Sequence, residues 1–164
     1  MTATATIQQI WCLRHATGTD AGVVEGLAGL APVKLLSELD GGSLADFVKG
    51  LPNVVNAIDS ARSDPDNLFV TTTTSGDLDD SIWPPDHTTV DMQADQTQAP
   101  GVDVPVEFSQ NISLWDFDDV SDNDLLGSIT VLESEAGAGS IAKLAKSETE
   151  TSYYYVTYEV RPNG

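Results

Sequence analysis

Residues 112–131 read ISLWDFDDVSDNDLLGSITV, an acidic stretch enclosed by two apolar runs. The apolar runs, 112–115 and 126–131, are rich in branched and aromatic residues, and such residues favour β-strands. Between them, five aspartates fall within residues 116–124. The pattern predicts two strands joined by an acidic loop, and it places the chain in an all-β dominated class.

The five aspartates repel one another, so something must offset their charge. The candidates are a bound cation, the surrounding solvent and salt, or a raised pKa on one member. Calcium suits the loop because Ca²⁺ takes roughly 6–8 oxygen ligands, which short Asp, Ser and Asn side chains and backbone carbonyls provide. We therefore predict a calcium site, and the competing interpretation is a solvated loop without metal.

The spacing of the aspartates is also informative. Asp116, Asp118 and Asp124 follow the pattern D-x-D-x-x-x-x-x-D, between an aromatic-containing strand and a Leu-Gly step into the next strand. From Trp115 to Gly127 this arrangement resembles the third calcium-binding loop of calcium-dependent C2 domains. The resemblance implies a C2-like antiparallel β-sandwich that binds calcium through its loops.

The resemblance also implies which residues bind calcium. The first loop of such domains supplies further ligands where a strand runs into a Gly-Ser/Thr-Asp turn, and Thr17-Gly18-Thr19-Asp20 looks similar. A second carboxylate is expected a few residues earlier but is missing, so a backbone carbonyl would substitute and the affinity would be lower. The expected calcium ligands are Asp116, Asp118 and Asp124 at the centre, with Asp122 or Ser121 and Asp20 completing the shell.

Other metal sites fit the sequence less well. An EF-hand would need Gly and Glu where Ser121 and Gly127 stand, and it would need two flanking amphipathic helices. Zinc is not expected, because His87 and Asp91 have no Cys or second His at ligand spacing. A second acidic group, within residues 77–80, would bind calcium only if its loop lies at the same end of the sandwich as the first. At the other end it would be solvated.

Composition limits the interpretation further. The chain has 164 residues, 26 acidic and 7 basic side chains and a formal net charge of −19. This length favours a single C2-like domain over residues 1–164. The charge repels nucleic acid and, at long range, anionic lipid. The single cysteine, Cys12, excludes an internal disulfide and is expected in the core.

No membrane span or signal peptide is expected in this sequence. The N-terminus lacks a basic region followed by an apolar core, and no apolar run reaches the length of a membrane span. We expect a soluble protein whose compartment stays open, including secretion without a visible signal peptide.

Strand and helix signals alternate along the rest of the chain. A helical insertion after the first strand is predicted over about residues 32–62, where Pro and capping residues precede apolar residues at helical spacing. Residues 140–146 are predicted to form a short helix or turn. The last strand alternates, and its Tyr153 and Tyr155 face is interpreted as packing. The predicted strands are residues 6–15, 68–74, 104–108, 112–115, 128–132 and 152–160.

The function follows from the predicted calcium site. We expect a module that binds calcium and then a membrane, glycan or protein partner, with its oligomeric state left open. The loop carries Asp119 and Asp122 and offers only Val120 for insertion, which argues against phospholipid docking. The first alternative is a calcium-stabilised structural or self-assembling protein. No enzyme is expected because no catalytic motif is present, and a hydrolase that uses the acidic loop is the last alternative.

Overall fold

The computed structural model describes residues 2–14, 33–35, 65–93, 96–118, 122–147 and 152–163. These residues form β-strands that pair in two antiparallel sheets, so the predicted all-β sandwich is confirmed. In chain order the strands are Ala3–Arg14 (β1), Val33–Leu35 (β2), Asp66–Thr71 (β3), Ser81–Trp83 (β4), Val90–Met92 (β5), Gln96–Gln98 (β6), Val102–Val106 (β7), Ser109–Asp116 (β8), Asp124–Leu132 (β9), Ser140–Ser147 (β10) and Ser152–Pro162 (β11).

Helical structure in the described ranges is limited to short 3₁₀ turns, at Leu78–Asp80, Pro85–His87 and Glu133–Glu135. None of the helices described is long and apolar enough to cross a membrane.

The larger sheet has the strand order β2-β10-β11-β1, and β6 and β7 share the other side of β1. Strand β7 pairs with the first half of β1, from Ala3 to Ile7, and β6 pairs with Ile10 to Cys12. The smaller sheet has the order β4-β3-β8-β9, with β5 also paired to β3. Because β8 and β9 are neighbours joined by the acidic loop, that loop lies at one end of the smaller sheet.

The core lies between the two sheets and follows the alternation of the strands. On β11, Tyr154, Val156, Tyr158 and Val160 face this core, as predicted, and Cys12 on β1 joins them. They pack against apolar side chains of the smaller sheet, which include Leu68, Val70, Ile112, Leu114, Leu126, Ile129 and Val131.

The outer face of the larger sheet is also apolar. Trp11 and Tyr155 stack there with ring centroids 6.0 Å apart, and Tyr153 beside them is 1% exposed. Burial raises the pKa of Tyr155 to about 12. The packing role predicted for this face of β11 is therefore confirmed.

Two predictions of helical structure are corrected. Residues 140–146 form strand β10, whose eight residues pair with Ser152–Glu159 of β11. Residues 33–35, placed within the helical insertion, form strand β2 and pair with Ile141–Lys143. In both cases the hydrogen bonds offered by a neighbouring strand outweigh a local helical preference. The rest of the predicted insertion, residues 36–62, lies outside the described residues.

Two strand boundaries also differ from prediction. Strand β3 covers Asp66–Thr71, and residues 72–75 bend away from it. The Thr71 hydroxyl accepts a hydrogen bond from Trp115 Nε1 at 3.0 Å and donates one to the Thr73 carbonyl at 2.8 Å. Thr71 is therefore a buried anchor for the bend, whereas an exposed threonine strand was predicted.

Candidate metal centre

The acidic loop begins and ends on two aspartates that face each other. Asp116 is the last residue of β8, Asp124 is the first of β9, and the two are directly paired in the register of the strands. Side chains opposite one another on antiparallel strands lie on the same face, with Cβ atoms about 4.5–5.5 Å apart, and like charges there are destabilising. The sequence pattern thus folds into a mouth with two carboxylates at its base.

Asp116 is held from the neighbouring strand by the backbone of Asn67. Its Oδ1 accepts the Asn67 N–H at 2.7 Å, and the next residue, Phe117, donates its N–H to the Asn67 carbonyl at 2.9 Å. Burial raises the pKa of Asp116, the Asn67 hydrogen bond opposes this, and the charges of Asp124 and Asp118 raise it further. The site therefore favours whatever neutralises Asp116, whether a proton or a cation.

Asn123 connects the acidic loop to a second loop. Its Oδ1 accepts the Asp118 N–H at 2.8 Å, and its Nδ2 donates to the Gly76 carbonyl at 2.8 Å. Sequence reasoning named no role for Asn123. The available signal was the habit of Asn side chains to bond nearby backbone groups in turns.

The second loop carries the other acidic group. Gly76 lies on the Trp115 indole at a φ of +74°, where an added Cβ would come 2.8 Å from the ring. A side chain at this position would push the loop away. Through Gly76 and Asn123 the acidic group within residues 77–80 lies next to the first loop, which answers the question of which end it occupies.

The carboxylates of the second loop already have partners within their own turn. Asp77 accepts the Asp79 N–H at 2.9 Å and caps the short 3₁₀ turn Leu78–Asp80. Asp80 accepts the Ser75 hydroxyl at 3.0 Å. These contacts shape the loop, and a role for this group in calcium binding stays a prediction.

The predicted ligands fall into three groups. Asp116 and Asp124 are paired, and Asp118 is partly buried beside them. Asp122 is exposed. Ser121 and Asp20 lie outside the described residues. Within the described ranges, no group of three or more His, Cys, Asp or Glu side chains is arranged to hold a metal ion. A complete calcium shell would therefore need further oxygen ligands to converge on Asp116 and Asp124.

The acidic loop stands on a close contact between the two sheets. A bulge in β9 leaves Leu126 without a register partner, and its carbonyl accepts the Ser152 hydroxyl at 2.8 Å. The next residue, Gly127, has a φ of +146°, and an added Cβ would lie 2.4 Å from the backbone nitrogen of Lys146. No side chain fits this contact, so Gly127 allows the sheets to meet beneath the loop.

A buried polar pair lies behind the loop, and sequence reasoning missed it. The Tyr154 hydroxyl donates to Asp66 Oδ2 at 2.5 Å, and both residues are almost fully buried. Burial first, and then the neighbouring Cys12 and Asp66, raise the pKa of Tyr154 well above its usual range. The sequence assigned Tyr154 to core packing and Asp66 to a turn, and nothing local links residues so far apart.

Comparisons with known proteins give similarity in structure only. No protein-family model matches the chain, and no curated protein matches it by sequence. The first of the two C2 domains considered, from plant extended synaptotagmin 1, aligns over 99% of this chain and 95% of that one, at 9% identity and a TM-score of 0.45.

Human GIVD cytosolic phospholipase A2, solved with methyl γ-linolenyl fluorophosphonate, aligns over 99% of this chain but 17% of that one. The identity is 9% and the TM-score 0.42, so the chain spans a small part of that enzyme's length. At such values neither similarity carries an argument about function. The functional case therefore rests on the residues of this chain.

Proposed function

We propose that the chain is a calcium-binding, C2-like module in which calcium bound at the loop 116–124 controls binding to a partner. The single observation that carries the proposal is the pairing of Asp116 with Asp124 at the base of the loop. Two carboxylates held together raise the free energy of the empty site, and a divalent cation lowers it.

The surroundings of Asp116 support a cation in preference to permanent protonation. Its Asn67 hydrogen bond favours the ionised carboxylate, although burial and its neighbours oppose ionisation. A group under opposing influences of this kind binds a cation readily once the cation supplies the missing positive charge. Asp118 and Asp122 would add oxygens, as would Ser121 and Asp20 according to the resemblance to C2 domains.

Calorimetric titration with calcium tests the metal site, together with melting in calcium and in chelator. Saturable heat and an upward melting shift are expected for the wild type, because a ligand that binds only the folded state stabilises it. Both should be lost in the double variant Asp116→Asn with Asp118→Asn. The matched control is Asp86→Asn with Asp91→Asn, which removes the same charge from exposed positions.

Two outcomes are decisive for the metal site. Heat that persists in the loop variant, or disappears equally in both variants, would contradict a site at Asp116. No heat in the wild type would leave the solvated, metal-free loop as the correct interpretation.

The class of partner needs a separate experiment. Sedimentation with phosphatidylcholine vesicles, with and without phosphatidylserine, tests the membrane version, and binding to immobilised glycans tests the second. Because the chain has a net charge of −19, long-range attraction to anionic vesicles is not expected. Protein that stays in the supernatant at saturating calcium rules out the membrane version. Calcium-triggered oligomers on a sizing column would instead favour the self-assembling alternative.

A further inference from the structure

The buried Tyr154 and Asp66 pair joins the two sheets directly behind the acidic loop. Tyr154 belongs to β11 of the larger sheet and Asp66 is the first residue of β3 in the smaller one. The exposed fraction is 0% for Tyr154 and 1% for Asp66. A buried carboxylate that loses a hydrogen bond is strongly destabilised, so this contact holds the start of β3 in one place.

The residue that follows Asp66 is the one that holds Asp116. Asn67 offers its N–H to the Asp116 carboxylate and its carbonyl to the Phe117 N–H, so both of its backbone groups face β8 and the start of the loop. Peptide units are planar, and neighbouring side chains of a strand point to opposite faces. Fixing the Asp66 side chain in the core therefore sets the direction in which Asn67 presents its N–H.

Strand β11 contains a second tyrosine of the same kind. Tyr158 lies on the same face as Tyr154, and its hydroxyl donates to Glu135 Oε1 at 2.7 Å. Glu135 belongs to the 3₁₀ turn after β9, which is the end of that strand away from the acidic loop. Each tyrosine thus ties β11 to a carboxylate of the other side of the sandwich, but only Tyr154 is linked to a residue that holds Asp116.

We propose that Tyr154 and Asp66 are positioning residues of the acidic loop. Their hydrogen bond fixes the start of β3, so that the Asn67 backbone holds Asp116 in the orientation in which it meets a cation. The calcium part of this inference rests on the proposed function, whereas the hold on Asp116 does not. A purely structural hydrogen bond would leave Tyr154 and Tyr158 equivalent in their effect on the loop.

Amide hydrogen exchange separates the two interpretations. Tyr154→Phe removes the hydroxyl and keeps the ring, and Tyr158→Phe is the matched control on the same strand. In chelator, we expect the Asn67 and Phe117 amides to exchange about 10-fold faster in Tyr154→Phe, the effect of losing one hydrogen bond's restraint, and to be unchanged in Tyr158→Phe. Amides of β1 serve as the reference for global stability. Equal exchange in the wild type and both variants, or equal acceleration in both variants, overturns the proposal.

Calcium affinity provides the second readout. We expect Tyr154→Phe to weaken it about 10-fold or more, the range typical of partners that orient a metal ligand, and Tyr158→Phe to change it less than about 2-fold. Equal losses in both variants contradict a positioning role. If the wild type shows no calcium heat, the proposed function fails, and the exchange experiment alone decides the hold on Asp116.

A second variant covers the case in which Tyr154→Phe does not fold. Asp66→Asn keeps an oxygen that accepts the Tyr154 hydroxyl while it removes the charge. We expect wild-type exchange at the Asn67 and Phe117 amides in this variant. Faster exchange there, despite the retained acceptor, overturns the proposal.

Discussion

At the end of the sandwich away from the acidic loop, Glu135 is surrounded by donors, whereas Asp116 in the loop has carboxylates as neighbours. Glu135 accepts hydrogen bonds from the Tyr158 hydroxyl at 2.7 Å and the Leu132 N–H at 2.7 Å, and it pairs with Lys143 at 3.1 Å. Asp116 accepts one backbone hydrogen bond and faces Asp124 and Asp118.

The difference between the ends shows which of them is complete by itself. The chain supplies its own counter-charge to Glu135, and this carboxylate is part of the fold. At the other end the described residues add negative charge to negative charge. Neutralising that charge from outside the chain would stabilise the loop end, so the two ends should respond oppositely to the same substitutions and to changes in calcium and pH.

The largest effect is expected at Gly127, where the loop end rests on the contact between sheets. Gly127→Ala places a Cβ against the backbone of Lys146, which cannot move without disrupting β10. We expect a loss of about 3 kcal/mol or more in the free energy of unfolding, from overpacking together with positive-φ strain. Chemical denaturation measures it.

Gly137→Ala is the control for Gly127→Ala, because Gly137 also has a positive φ but an added Cβ meets nothing within 4 Å. The control should lose only about 1 kcal/mol, the cost of the backbone conformation alone. Equal losses in the two variants would show that the close approach of the sheets is unimportant.

Removing the charge of Glu135 should destabilise the fold. Glu135→Gln keeps an acceptor for Tyr158 but loses the ion pair with Lys143, whose side chain is 13% exposed. We expect a loss of about 2 kcal/mol, as for a hydrogen-bonded charge with little access to water, and no change in calcium heat. Thermal and denaturant unfolding measure the first, and calorimetry the second.

The same change in charge at Asp116 should have the opposite sign. In chelator, Asp116→Asn relieves the repulsion from Asp124 and keeps an acceptor for the Asn67 N–H. We expect a gain of up to about 1 kcal/mol, the size of a like-charge pair across two strands. In calcium the order should reverse, because the variant loses the ligand. A variant less stable than the wild type in chelator would show that the charges are already compensated.

The chain's secondary structure was predictable where its pattern is local. The alternation in β11 and the apolar runs of β8 and β9 each lie within one short segment, so period and composition were enough. Strand β10 was missed because its sequence, SIAKLAKS, is rich in good helix formers. It is a strand because β11 and β2 pair with it on either side, and no local rule encodes that pairing.

The candidate site divides in the same way. The pairing of Asp116 with Asp124 could be anticipated, since the loop that separates them is short. The Asn123 contact with Gly76 joins residues 47 positions apart, and the Tyr154 contact with Asp66 spans 88. Both depend on the course of the chain between sheets, which hydrophobic period and motif spacing do not report.

The pH dependence of stability extends the comparison. The pKa of Asp116 is raised in the folded state, so the folded chain binds a proton there more tightly than the unfolded chain does. Protonation of Asp116 therefore stabilises the fold fully below the unfolded pKa, and this contribution is lost as pH rises through the folded pKa. In chelator, the advantage of Asp116→Asn over the wild type should be greatest at neutral pH and shrink on acidification. Parallel stability curves would contradict the raised pKa.

The smallest effect is expected at Phe108, at the end away from the acidic loop. Phe108 is 79% exposed and has a φ of +64°, in a turn closed by a hydrogen bond of 2.7 Å from the Ser109 N–H to the Glu107 carbonyl. The backbone contacts of Glu133 keep it in this conformation. Phe108→Gly relieves about 1 kcal/mol of positive-φ strain, which the entropy of the more flexible unfolded chain offsets in part.

We expect Phe108→Gly to be slightly more stable than the wild type in denaturant unfolding, with unchanged calcium heat. Phe108→Ala is the control, because it removes the exposed ring but keeps a Cβ at the positive φ, and it should not share the gain. If the alanine variant were the more stable of the two, the backbone at Phe108 would not be strained. The end that carries Glu135 would then differ from the loop end in charge compensation alone.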